Sequence, residues 1–132
     1  MRFQRATQKH LDAIMNITNE AKAQLKRMEI DQWQKGYPSR EVWEEDLKQG
    51  RASLHRVCVA ENYKGQGVVG RMFDFAFDLT RSFGITSVRI DTHPDNKPMM
   101  RSLSKAGFLE CGFIRLVGGV EDGNIRIAFE KV

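Results

Sequence analysis

An α/β (α+β) domain with a mixed central sheet flanked by helices is predicted by three observations. The run Leu54–Val59 is rich in β-branched residues and feeds a glycine-rich turn, after which residues 68–83 carry apolar side chains at helical spacing. A second strand-like run, Thr86–Asp91, follows that helix, so the strand–helix–strand unit predicts a parallel pair with a right-handed crossover. Two further strand-like runs, Phe108–Leu116 and Ile125–Glu130, are joined by the turn-rich stretch 118–124. The 132 residues show no repeat, linker or low-complexity tract, which predicts one domain over residues 1–132.

The remaining elements follow from the same spacing rules. Phe3–Ala6 reads as a short first strand, and Thr7 as the cap of a helix over 8–28 whose apolar positions include Leu11, Ile14, Thr18, Ala21 and Leu25. Residues 30–38 form a loop carrying Trp33 and Tyr37. Ser39 caps a second helix over 40–49, with Trp43 and Leu47 on one face and Gly50 as its stop. Gly84 ends the third helix, with Phe73 on its buried face. His93–Asn96 is a turn, and a short helix over 97–106 is stopped by Gly107.

Composition removes several function classes. Charged residues make up 29% and hydrophobic residues 41% of the chain, as in a soluble globular protein. No apolar run is long enough to span a bilayer, and Met1–Arg5 lacks the apolar core of a signal peptide, so no membrane role and a cytoplasmic location are expected. Cys58 and Cys111 are too few for a disulfide framework or a zinc cage, and no metal site is expected. A net charge of +4 suits a polyanionic small molecule, and without a Lys/Arg block interleaved with aromatics no nucleic-acid partner is expected.

The stretch Lys64-Gly65-Gln66-Gly67-Val68-Val69-Gly70-Arg71 is the most informative. A glycine turn opening a helix aims several backbone N–H groups at one spot, at the positive end of the helix dipole, and makes an anion site. Gly65, Gly67 and Gly70 also match the dinucleotide fingerprint, with Asp91 near the ribose-binding acid's position. Against that, five residues from Ala60 to Lys64 separate strand and first glycine, and there is no second mononucleotide-binding half. A Walker A loop is excluded because Arg71 and Met72 stand where it needs Lys and Ser/Thr.

A third reading covers more of the chain. Residues 54–114 resemble the GNAT superfamily of N-acetyltransferases, whose Q/R-x-x-G-x-G/A loop is represented by Lys64 to Val69. A second block of that family, N-x-x-A-x-x-x-Y-x-K-x-G-F, is matched by Asn96 to Phe108, with Asn96, Lys105 and the Gly107-Phe108 pair in register. The segments Ile90–Met99 and Asp31-Gln32-Trp33 are similar to a poorly characterised branch of the superfamily. Three departures stand out. Val69 replaces Gly or Ala, Leu103 replaces a frequent tyrosine acid, and only Arg51-Ala52-Ser53 lies where the family places a β-hairpin before the Leu54–Val59 strand.

The resemblance implies an acetyl-CoA-dependent N-acetyltransferase in which a small-molecule or peptide amine attacks the thioester directly. It implies that the pantetheine arm lies between Leu54–Val59 and Thr86–Asp91, held by backbone groups of Val57 and Val59. Lys64, Gly65, Gln66, Gly67, Val68, Val69, Gly70 and Arg71 would hold the pyrophosphate, and Asn96 the arm from the far side. Lys105 would be a solvated charge or a partner of the adenosine phosphate. His55 and His93 are candidates for the base that deprotonates the amine, and Cys111 and Tyr37 for the acid that protonates the thiolate. Trp33 and Tyr37 would line the acceptor pocket, whereas Asp91 reads as a strand-end acid. The absent hairpin leaves a strand edge open, which favours a homodimer. It also raises the alternative of a degenerate CoA-binding module without turnover, beside the dinucleotide-binding fragment.

Overall fold

The computed structural model describes residues 1–49 and 54–132. Gly50, expected to stop the second helix, the link Arg51-Ala52-Ser53 and the side chain of Leu47 lie outside the described residues. After a short 3-10 turn at Gln8–His10, opened by Thr7, come α1 (Leu11–Arg27) and α2 (Arg40–Gln49). A second 3-10 turn (Glu61–Tyr63) leads to α3 (Val68–Ser82), β1 (Val88–Thr92), α4 (Lys97–Lys105), β2 (Leu109–Arg115) and β3 (Ile125–Lys131).

The apolar spacing explains the burial. Leu11, Thr18, Ala21 and Leu25 share the buried face of α1. Three helices end in the same way. Ile30 N–H returns to Leu25 O, Ile85 N–H to Thr80 O and Phe108 N–H to Leu103 O, each at 3.0 Å. These are Schellman ends, which need a left-handed residue just before the returning one. Gly84 and Gly107 supply it as expected, and after α1 it is Glu29, at φ 58°.

Among the described residues the sheet has three strands in the order β1-β3-β2, and both pairings are antiparallel. Its apolar face carries Val88 and Ile90 of β1 and Ile127 and Phe129 of β3, packed with Phe73 of α3, Leu103 of α4 and Phe108. A second cluster, Ala21, Leu25, Ile30 and Trp33 with Tyr37 and Cys58 against it, lies at the end of α1.

Four expectations need correction. Phe3–Ala6 forms no strand, and the Phe3 ring instead stacks on Phe75 of α3, centroids 4.3 Å apart. Leu54–Val59 is not a regular strand either. Arg56 sits at φ 55°, which breaks the two-residue alternation a ladder needs. Its Nε donates to Tyr37 Oη at 3.0 Å, and its guanidinium lies over the Tyr37 and Trp43 rings. The parallel pair between Leu54–Val59 and Thr86–Asp91 is consequently not formed, and β1 pairs with β3. The strand edge expected to be open is thus no strand edge, and the edges of the sheet are β1 and β2.

Candidate functional site

One cavity of about 860 Å³ runs from the start of α3 to the ends of β1 and β3. At its α3 end, Gly65 and Gly67 both lie at φ 73°, in the left-handed region open to glycine at little cost. Gly67 is the N-cap of α3, and the first bond within the helix runs from Arg71 N–H to Gly67 O at 3.2 Å. The N–H groups of Val68, Val69 and Gly70 precede that bond and have no helical acceptor of their own. A Cβ at Gly65, Gly67 or Gly70 would meet nothing within 4 Å, so the space over the loop is open. Val69, the branched residue at a small-residue position, packs against the core.

The loop is pinned from outside. Gln66 Nε2 donates to Asn62 O at 2.9 Å, and Arg71 Nη2 to Gln66 O at 3.0 Å. The Glu61 carboxylate accepts from Gln24 Nε2 at 2.7 Å and pairs with Arg27 at 3.0 Å, while Glu61 N–H donates to Glu20. The Gln24 hydrogen bond, then the charges of Lys64 and Arg27, hold that carboxyl below its usual range. Lys64, Arg71 and Lys105 border the cavity and supply positive charge, and Asn96, whose Oδ1 accepts from Met99 N–H and caps α4, lies on the same wall.

The other end is built from side chains. Asp91 stands opposite Ala128, so Arg126, two residues along β3, is its diagonal neighbour on the same face. Arg126 is 1% exposed. Its Nη2 lies 3.0 Å from Glu121 Oε1 but makes no directed hydrogen bond, so this contact is coulombic, while Nη1 donates to Ile125 O at 2.9 Å. Burial pushes the Asp91 carboxyl up, and the charges of Arg126 and then His55 oppose that rise. Glu121 projects from the β2–β3 turn, which is clamped by Leu116 N–H to Asn124 O and Gly123 N–H to Leu116 O, both 2.9 Å. Its Oε1 also accepts from Trp33 N–H at 3.3 Å.

Most of the residues singled out from the sequence converge here. Val57, Val59, Lys64, Gly65, Gly67, Val68, Val69, Gly70, Arg71, Asn96, His55, Trp33 and Tyr37 all line the cavity. Gln66 does not line it, and its side chain braces the loop instead. His93 uses both ring nitrogens: Nε2 bonds Asp31 Oδ1 at 2.9 Å and Nδ1 accepts from Asp95 N–H at 3.1 Å, tying the loop after α1 to the end of β1. Cys111 is exposed on the edge strand β2, away from the cavity lining. Gln32, Glu121 and Arg126 also line the cavity; Glu121 and Arg126 carry no sequence signal, and Gln32 stands out in the sequence only as part of Asp31-Gln32-Trp33, with no role attached. Arg126 in Ile125-Arg126-Ile127 reads as an ordinary solvent-side residue of an alternating strand. Among the described residues no group of acidic, His and Cys side chains could hold a metal, and no helix is long and apolar enough to cross a membrane.

The arrangement suits a long ligand with a polyanionic end over α3 and a reacting end beside Asp91. Solved structures share this fold. A GNAT-family acetyltransferase from Streptococcus agalactiae superposes with a TM-score of 0.80 at 24% identity, covering 98% of this chain and 93% of its own. A ribosomal-protein-alanine N-acetyltransferase from Brucella melitensis gives 0.71 at 17% identity over 100% of this chain and 99% of its own. A GNAT-family acetyltransferase from Listeria monocytogenes gives 0.69 at 14% identity, with 97% and 92% covered. At these identities the likenesses show the fold. No curated protein matches the sequence. Residues 27–108 match the profile of the Acetyltransferase (GNAT) family. The dinucleotide reading of Gly65–Gly70 lapses, because that fingerprint needs a parallel strand–helix–strand unit and the sheet among the described residues is antiparallel. With that match spanning most of its length, the chain belongs to the GNAT family of acetyltransferases, whose acyl donor is acetyl-CoA.

Proposed function

We propose that this chain moves an acetyl group from acetyl-CoA to the nitrogen of a small-molecule or peptide amine by direct attack. The observation that carries the reading is the continuous cavity, with backbone N–H donors and three cations at one end and ionisable side chains at the other. When bound, acetyl-CoA supplies a thioester carbonyl open to a nucleophile. The N–H groups of Val68 to Gly70, with Lys64 and Arg71, take the pyrophosphate, and the open space over the glycines lets the phosphates approach the backbone. Val57 and Val59 flank the pantetheine arm on one side and Asn96 on the other. His55, which lines the cavity, is a candidate proton acceptor for the amine, as is His93 once freed from Asp31. Cys111 and Tyr37 remain candidates for protonating the thiolate; Tyr37 reaches the cavity, and Cys111 would have to act from outside it. A homodimer would pair copies through β1 or β2, and light scattering that finds a monomer rejects it.

The test is calorimetric titration with acetyl-CoA and with NAD, followed by mass-spectrometric detection of acetylated amine. Binding of acetyl-CoA alone with amine-dependent turnover is expected. Tight binding without turnover on any amine would mean a CoA-binding module, the reading the short Gln49-to-Leu54 link favours.

A further inference from the structure

The loop after α1 is held from two sides around one residue. Asp31 is tied to His93 at the end of β1 (2.9 Å), and Trp33 N–H is tied to Glu121 in the β2–β3 turn (3.3 Å). Gln32 stands between these two ties and borders the cavity, and its Oε1 is buried without a hydrogen-bond donor. A buried, unpaired carbonyl oxygen is costly, and the cost is removed by a ligand that brings an N–H. Asp91, the diagonal neighbour of Arg126, lines the same cavity, and both ties that flank Gln32 lead towards it, one to His93 two residues along and one through Glu121 to Arg126. The end of the cavity remote from α3 thus presents acceptors, and its buried cation, Arg126, is already matched by Glu121.

From this juxtaposition we infer that Gln32 Oε1 and the Asp91 carboxylate form the subsite for the acceptor's ammonium group, and that Asp91 is the base. The inference rests on the acetyl-transfer reading above and narrows it to a primary amine that arrives protonated. Asp91 takes one proton from the ammonium and later releases it to solvent. The freed lone pair forms the C–N bond to the acetyl carbon as the C–S bond breaks. The second proton lost by nitrogen leaves on sulfur, as the CoA thiol. Arg126 and Glu121 are positioning residues: the Arg126 charge opposes the rise that burial imposes on the Asp91 carboxyl, and Glu121 fixes Arg126 and the Trp33 backbone together. The charged groups facing Asp91 are Arg126 on β3, Glu121 in the turn and His55 on the segment before α3; Arg89 and Glu130, farther along the same face, pair with each other at 3.1 Å.

The experiment uses the full chain with acetyl-CoA and three probe amines: tyramine, spermidine and a tripeptide amide with a free α-amino group. Asp91→Asn is expected to lower kcat/KM by about a hundredfold or more and to abolish the acidic limb of its pH profile, with acetyl-CoA affinity unchanged. Asp91→Glu should restore part of the rate together with that limb. Gln32→Leu should raise KM for the amine roughly tenfold, with a smaller effect on kcat. Thermal melts of each variant separate loss of the fold from loss of the group. Wild-type protein that transfers acetyl groups while Asp91→Asn keeps its rate and pH profile overturns the inference and leaves the reading of transfer intact. Wild-type protein that binds acetyl-CoA yet acetylates none of the three amines overturns the ammonium subsite. Failure of wild-type protein to bind acetyl-CoA overturns the reading on which both rest.

Discussion

The two ends of the cavity are made of different material. Over α3 the proposed recognition surface is main chain: two glycines at φ 73° and the N–H groups of the first helical turn. Beside β1 it is side chain: Gln32, Asp91, Glu121 and Arg126, drawn from a loop, a strand, a turn and another strand. Backbone recognition needs only a conformation, so it is expected to tolerate Lys64 for Arg or Gln and Val69 for Gly or Ala as long as the glycines hold the turn. Side-chain recognition needs each group at its place: Asp91, Glu121 and Arg126 are placed by one another and the sheet register, and Gln32 by the ties of its neighbours Asp31 and Trp33.

The sharpest way to break the comparison is at Arg126. Arg126→Met leaves the Glu121 carboxylate buried without its cation, so a loss of about 3–5 kcal/mol in denaturant unfolding is expected. Adding Glu121→Leu should recover much of it, and acetyl-CoA affinity should change little in the double variant. The converse variant, Gly67→Ala, forces a side chain into the left-handed region at a cost of roughly 1–2 kcal/mol. It should weaken acetyl-CoA in calorimetry while leaving KM for the amine nearly unchanged.

Titration separates the regions by sign. The Asp91 carboxyl is pushed up by burial, so its ionised form costs stability above its folded value and nothing below the usual 3.8. Asp91→Asn should therefore raise the unfolding midpoint at neutral pH, with the gain fading in acid. The Glu61 carboxyl, which braces the glycine loop, is held low by Gln24 first and then by Lys64 and Arg27. Its contribution is present above the usual 4.5 and lost as pH falls through its lowered value, so Glu61→Gln should flatten the acid limb of the stability profile. The smallest effect is chemical. Burial pushes the Cys58 thiol up to about 11, and Cys111 is exposed. At neutral pH iodoacetamide should label Cys111 first by peptide mapping, and acetyl-CoA should protect only Cys58, which lines the cavity.

That contrast also governs what could be read from the sequence. A backbone site is local, and Gly65-Gln66-Gly67 before an amphipathic run spells it out. The helices, with their Gly84 and Gly107 stops, and β1 to β3 were legible for the same reason. The Leu54–Val59 strand failed because its β-branched letters say nothing of Arg56, whose left-handed φ is held by Tyr37 and Trp43 from elsewhere in the chain. The acceptor end failed because Gln32, Asp91 and Glu121 meet only through β1–β3 register and the ties at His93 and Trp33. Asp91 reads as a strand-end acid until Ala128 is known to stand opposite it.

The clamped turn between β2 and β3 sets one group of the acceptor end, Glu121, through a hairpin whose stem pairs on only one side. Insertions or exchanges in residues 117–123 would move that carboxylate while the glycine loop and the core stay as they are. With the proposed acceptor subsite, editing this one turn is expected to change the amine accepted while the grip on the donor stays.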